Sequence, residues 1–201
     1  MKRILYYCSS NPGKLREFSL AAQQAADLHL QIEPLPQLRH IPPPSEDGTT
    51  FEENATAKAL YYSQFTTELV FADDSGLEVD ALGGSPGVCS ARFAGSNATD
   101  AANNDLLLRR LAGSTDRGSR FVCVLGLAQA GRSLVSFRGV VEGEILFQLR
   151  GESGFGYDPL FFYAPLNRSF GELASDQKFA VSHRGQALAA LFQYLRSTVP
   201  G

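Results

Sequence analysis

Two adjacent carboxylates, Asp73 and Asp74, close the apolar run Leu69-Val70-Phe71-Ala72 and are followed at once by Ser75-Gly76. Buried strands commonly end in turn formers, so ending one in two carboxylates gathers negative charge where the backbone leaves a core. In open α/β sheets, ligands bind at the carboxyl ends of strands. Two chemistries suit the pair: holding a hard divalent cation, or acting as general base toward a water. Neighbouring strand side chains point to opposite faces, so both carboxylates serve one site only if the chain turns at Ser75-Gly76. The alternative is an Asp-Ser-Gly turn whose side chains cap their own backbone.

Other polar clusters lie where charge is hard to explain by solvation alone. Ser9-Ser10-Asn11-Pro12-Gly13-Lys14 separates an apolar run, Arg3–Cys8, from the helical spacing of Leu15–Ala26. Asn11 followed by Pro12 predicts an N-cap with proline at the first helical position. A strand, a polar turn and a helix N-terminus together offer backbone N–H groups and a positive dipole end to an anion. Lys14 in the first turn opposes that dipole and makes better sense beside a bound anion; an ordinary capped helix with a solvated lysine is the alternative. Glu46 sits on a loop ahead of the capping signature Thr50…Glu53, which accounts for Glu53 but not for Glu46. Lys58 follows on the predicted helix Ala55–Phe65, either solvated or in reach of a phosphate. Arg92 suits an anion or a salt bridge equally.

Gly151–Pro159 (GESGFGYDP) interleaves glycines with Phe155, Tyr157 and Asp158. Gly154 and Gly156 permit close backbone approach, and an exposed Phe155 can stack on a base; an aromatic-bearing tight turn is the alternative. Lys178 and His183-Arg184 open the last helical region, whose Gln186–Leu195 stretch is core packing. His183 and Arg184 form an ordinary surface pair, or, beside a base, offer N–H donors to ring carbonyls.

The elements that must position these groups alternate between strand and helix. Leu28–Glu33 reads as a second strand, followed by a proline-stiffened loop, Leu35–Pro44. Arg120–Ala130 is apolar almost throughout, as a central strand should be, and Gly131-Arg132 signals a two-residue hairpin into Leu134–Val141. Leu160-Phe161-Phe162 is a further buried strand. The chain of 201 residues reads as a single domain, 1–201, and 44% hydrophobic with 19% charged residues fits a folded enzyme. A net charge of -3 without a polybasic stretch argues against nucleic acid as partner. The three cysteines, Cys8, Cys89 and Cys123, show neither a disulfide framework nor zinc spacing. With no signal peptide and no membrane-spanning run, the cytoplasm is the expected compartment and no membrane partner is expected.

Taken in order, the motifs are specific. Ser-x-Asn-x-x-Lys, Thr-Phe-x-Glu-Asn-Ala, Ala-Asp-Asp-Ser-Gly-Leu, Leu-Gly-Gly-x-Pro-Gly, Ser-Ala-Arg-Phe-Ala-Gly, Gly-Phe-Gly-Tyr-Asp-Pro and Ser-His-Arg-Gly-Gln-Ala-Leu cover nearly the whole chain. This series resembles the inosine triphosphate pyrophosphatase family, the bacterial-type XTP/dITP diphosphatases. The resemblance implies an elongated, two-lobed α/β fold with a long mixed sheet flanked by helices, a deep nucleotide cleft and a homodimer. It implies Mg²⁺-dependent cleavage of ITP, dITP and XTP to monophosphate and pyrophosphate. By the same resemblance Ser9, Ser10, Asn11, Pro12, Gly13 and Lys14 hold the triphosphate, and Glu46 and Asp74 hold Mg²⁺. Asp74, with Asp73 beside it, activates water, and Ser75 touches substrate. Phe155, Gly156, Tyr157, Asp158, Lys178, His183 and Arg184 surround the nucleotide, with Phe155 stacking on the base. Departures are modest: Ser9-Ser10 replaces a common Thr-Gly, Ala174 a threonine and Gln177 a glutamate.

Donors from His183 or Arg184 to a 6-oxo group would favour hypoxanthine and xanthine over adenine, whose 6-amino group is itself a donor. Such a site can discriminate by roughly 10⁴–10⁵. Guanine shares the 6-oxo group and is not separated this way. A pyrophosphatase for pyrimidine or modified nucleotides and a non-hydrolysing nucleotide-binding regulator are the competing readings.

Overall fold

The computed structural model describes residues 3–9 and 11–198. The chain packs into two compact units, Met1–Asp74, Cys123–Gly139 and Arg184–Gly201 in the first, Ser75–Val122 and Val140–His183 in the second. Its elements in order are β1 (Arg3–Tyr7), α1 (Pro12–Gln24), β2 (Leu30–Pro34), α2 (Phe51–Tyr62), β3 (Leu69–Val79), α3 (Asp100–Arg110), β4 (Gly118–Gln129), β5 (Arg132–Ile145), β6 (Phe161–Tyr163), β7 (Arg168–Ser169), α4 (Ser175–Val181) and α5 (His183–Thr198). The seven strands form one sheet, ordered β2-β1-β3-β4-β5-β6-β7. It is mixed: β1 runs parallel to β2 and β3, whereas β6 is antiparallel to β5 and β7. Among the described residues no helix is long and apolar enough to cross a membrane.

In the first unit the β1-α1-β2 and β2-α2-β3 crossovers step across the sheet in opposite directions. With right-handed crossovers this puts α1 and α2 on opposite faces. The packing agrees. Phe18 of α1 meets the rings of Tyr7 and Phe71 at 5.0 and 5.4 Å. Ala59 and Tyr62 of α2 instead join Val70 and Ala72, the alternate residues of β3, in one core cluster. The gap between β1 and β3 is therefore a topological switch point, the position at which open α/β sheets bind ligands.

Gly126 lets α2 lie close on the central strand: a Cβ there would stand 2.6 Å from the Ala55 carbonyl oxygen. Its neighbours Val124, Leu125 and Leu127 are buried, as the apolar run predicts. The second unit is built on Leu77, Leu107, Phe121, Phe161 and Phe170. There buried Arg117 donates to the carbonyls of Leu111, Ile145 and Leu146, tying the end of α3 to the end of β5.

Local expectations are corrected in two places. β3 does not turn at Ser75-Gly76 but continues to Val79. The hairpin turn is Ala130-Gly131, one residue earlier than Gly131-Arg132, with φ of 48° and 77°. The capping predictions for α1 and α2 hold: Asn11 accepts from the Gly13 and Lys14 amides, and Thr50 and Glu53 form a reciprocal box.

Candidate active site

The strand that carries Asp73 and Asp74 also separates them. Asp73 follows the alternation of Phe71 and faces α1, where it accepts from the Tyr7 hydroxyl and, at 2.7 Å, from Lys14 Nζ. Asp74 follows Val70 and Ala72 and faces α2, where Asn54 Nδ2 donates to it at 3.0 Å. Lys58, one helical turn beyond Asn54, bridges Asp74 Oδ1 at 3.4 Å and Glu46 Oε1 at 3.0 Å. The register of β1 with β3 runs through Tyr7 and Phe71, and the Cys8 amide donates to the Phe71 carbonyl at 2.9 Å, just short of the two carboxylates.

The two carboxyls differ in acidity. Burial alone would raise Asp73, but the Lys14, Lys58 and Arg184 charges and the Lys14 hydrogen bond hold it far below the usual carboxylate range. Burial raises Asp74; Lys58 and Asn54 only partly oppose it, and the Glu46 and Asp73 charges add to the rise. Lys58 loses affinity for its proton by burial and regains more from Asp73, Asp74 and Glu46, so its pKa is raised.

The α1 N-terminus differs from the expected anion cradle. The Asn11 amide donates to Ser9 Oγ, and those of Gly13 and Lys14 are taken by Asn11 Oδ1. Pro12 has no amide hydrogen. Among the described residues, the Asn11, Gly13 and Lys14 amides are thus engaged within the cap, and the charge at this end comes from Lys14. Ser10 lies outside the described residues. Arg184 contacts Glu17 of α1 at 3.5 Å and its charge acts on Asp73.

Among the described residues, no three His, Cys, Asp or Glu side chains form a metal cluster. Glu46 and Asp74 nevertheless converge on one cationic group, the Lys58 ammonium. That donor set fits Mg²⁺, which takes one or two carboxylates and completes its shell with water and phosphate oxygens.

In the second unit the Gly151–Pro159 loop is fastened at successive residues. Asp158 Oδ2 accepts the Phe155 amide at 2.9 Å and Lys178 Nζ at 2.6 Å. Both partners of this ion pair are buried, and the ammonium lies 4.7 Å from the centre of the Phe155 ring. Tyr157 is buried with its hydroxyl donating to the Ser90 carbonyl, which makes it an anchor. Gly154 has φ of +80°, and a Cβ there would strike Asp158 Oδ2 at 2.1 Å. His183 is buried and stacks on Phe121 at 4.8 Å. Ahead of α4, Ala174 supplies no side-chain cap, while Gln177 Oε1 accepts the Ala174 amide at 3.4 Å. Ser75 is half-buried on β3.

Sequence reasoning missed Tyr7, Asn54, Asp100 and Asn104 and undervalued Lys58. Asn54 carried a signal, a poor helix former placed inside a capped helix. Asn54 and Lys58, like Asp100 and Asn104, stand at i and i+4, which faces both side chains the same way.

By fold and site the chain is a mixed α/β protein with carboxylates and lysines gathered at the carboxyl end of its parallel strands. It belongs to the Ham1 family, whose model matches residues 5–194. It is 48% identical over 191 residues to a dITP/XTP pyrophosphatase from Exiguobacterium, covering 95% of each chain. Its similarity to the enzyme of that name from Deinococcus radiodurans is 48% over 189 residues, 94% of this chain and 91% of that one. The solved Ham1 protein of Staphylococcus aureus matches 98% of this chain and 100% of its own, with TM-score 0.86 and 37% identity. A HAM1 protein from Coxiella burnetii matches with TM-score 0.87 and 39% identity over 98% of this chain and 100% of its own.

Proposed function

We propose that this protein hydrolyses the nonstandard purine nucleoside triphosphates ITP, dITP and XTP to monophosphate and pyrophosphate, removing them from the nucleotide pool. The observation that carries the reading is Glu46 and Asp74 converging on one cation, the Lys58 ammonium, at the strand end where Lys14 pairs with the adjacent Asp73. It occurs in a chain 48% identical to a dITP/XTP pyrophosphatase across nearly its full length.

In this reading Glu46 and Asp74 hold Mg²⁺. When bound, Mg²⁺ orients the phosphates and neutralises charge on the departing pyrophosphate. Ser9 to Lys14 face the triphosphate, with Lys14 as the fixed charge, and Ser75 touches the substrate. Asp74 accepts the proton of the attacking water. Asp73 is engaged on the other face of β3 by Tyr7 and Lys14, whereas Asp74 lies with Glu46 on the side where the metal would bind. Asn54 holds Asp74 by one oxygen. Phe155 stacks on the base, Gly156 to Asp158 and Lys178 shape its surroundings, and His183 or Arg184 donates to the 6-oxo group. The working form is a cytoplasmic homodimer.

The test is product analysis with Mg²⁺ on ITP, XTP, dITP, ATP, GTP, dUTP and dTTP. Pyrophosphate and monophosphate from the first three, with little from the rest, is the expected result. Activity confined to dUTP and dTTP would move the assignment to a pyrimidine enzyme, orthophosphate release would place the water at another phosphorus, and tight binding without turnover would make the chain a regulator.

A further inference from the structure

Gly156 is held from both sides by one helix. Its amide donates to Asp100 Oδ2 at 2.6 Å, and its carbonyl accepts from Asn104 Nδ2 at 2.9 Å. Asp100 and Asn104 are one turn apart on α3, so both reach the loop from the same face. Gly156 has φ of +63°, a conformation that costs other residues and that the loop must maintain against alternatives.

Because the peptide unit is planar, fixing an N–H fixes the plane that carries it. The Phe155 amide belongs to the plane before Phe155 and is held by Asp158. The Gly156 amide belongs to the plane after Phe155 and is held by Asp100. With both flanking planes held, the Phe155 Cα–Cβ bond is aimed, and the Lys178 ammonium lies over the ring that it carries. Asn104 fixes the next plane, between Gly156 and Tyr157.

We propose that Asp100 and Asn104 are positioning residues that hold Gly156, and through it the Phe155 ring, in the geometry that receives the purine base. The proposal rests on the reading that Phe155 stacks on the base. Both bind the loop backbone at Gly156 and act through it. Asp100 is exposed and begins α3, where an acidic residue also suits the helix dipole, so charge and hydrogen bonding must be separated.

Asp100→Ala, Asp100→Asn, Asn104→Leu and Phe155→Ala are compared by KM and kcat for ITP with Mg²⁺ and by the inhibition constant of pyrophosphate, which lacks a base. Loss of a stacking contact predicts about a tenfold rise in KM for Phe155→Ala, Asp100→Ala and Asn104→Leu, with pyrophosphate inhibition unchanged. Asp100→Asn keeps an acceptor and is expected to stay within about twofold of wild type, since it loses only the charge. If Asp100→Ala keeps the wild-type KM while Phe155→Ala raises it, the clamp is refuted and the stacking reading survives. If Phe155→Ala itself leaves KM unchanged, both fall together. Parallel loss of pyrophosphate binding, or failure of Asp100→Asn to rescue, overturns the positioning role. Should buried Asn104→Leu not fold, the exposed Asp100 variants decide the question.

Discussion

Asp73 and Asp74 are consecutive on β3 yet bind different helices, Asp73 through Lys14 of α1 and Asp74 through Asn54 and Lys58 of α2. The pair is two environments back to back, and the difference in acidity follows from that. Strand alternation alone sends each to its own helix, without a turn in β3.

Asp74→Asn is expected to lower kcat/KM by about 100-fold or more, since it removes the proposed base and a metal ligand together. Its unfolding free energy should change little, because Asn can still accept from Asn54. Steady-state pyrophosphate release paired with urea denaturation checks both halves. Near-wild-type turnover would remove Asp74 from its role.

Asp73→Asn is expected to act on stability and on its pH dependence. The folded-state pKa of Asp73 lies well below the unfolded value of about 3.9. Its stabilising contribution is therefore complete above about pH 4 and is lost as pH falls from there toward the folded value. Removing the carboxylate charge leaves the largely buried Lys14 uncompensated, at a cost of roughly 3 kcal/mol near neutrality. Denaturation at a series of pH values should show wild type and variant converging below about pH 4. A constant difference across the series would mean that the charge on Asp73 is not what stabilises the fold.

Gly126→Ala places a Cβ against the Ala55 carbonyl and must push α2 away from β4. Overpacking of this kind costs about 1–3 kcal/mol. Because Asn54 and Lys58 ride on α2, kcat/KM should fall as well. Unchanged stability and activity together would show that α2 is not seated by that contact.

Ala130 occupies the first position of a two-residue hairpin turn with positive φ, where asparagine is favoured. Ala130→Asn should raise stability by roughly 1 kcal/mol, seen as a higher urea midpoint at constant slope. A lower midpoint would count against backbone strain at this turn.

The sequence by itself determined most of the strands and helices, though not β7 or the length of β3, and also the caps of α1 and α2, the central place of β4 and the family. Caps and apolar periodicity depend on residues within a few positions of one another, and so are visible in one dimension. Family membership rests on motif order, which is equally linear. The partners of the functional groups were a tertiary matter. Lys58 meets Glu46 and Asp74, Tyr7 meets Asp73, and Asp100 and Asn104 meet Gly156 across long sequence separations. Those contacts follow from how each helix packs on the sheet or loop it faces, which local sequence does not encode. The run of β3 past the expected carboxylate turn is likewise tertiary: β3 lies beside β4 in the sheet and continues to Val79, a pairing between segments far apart in sequence.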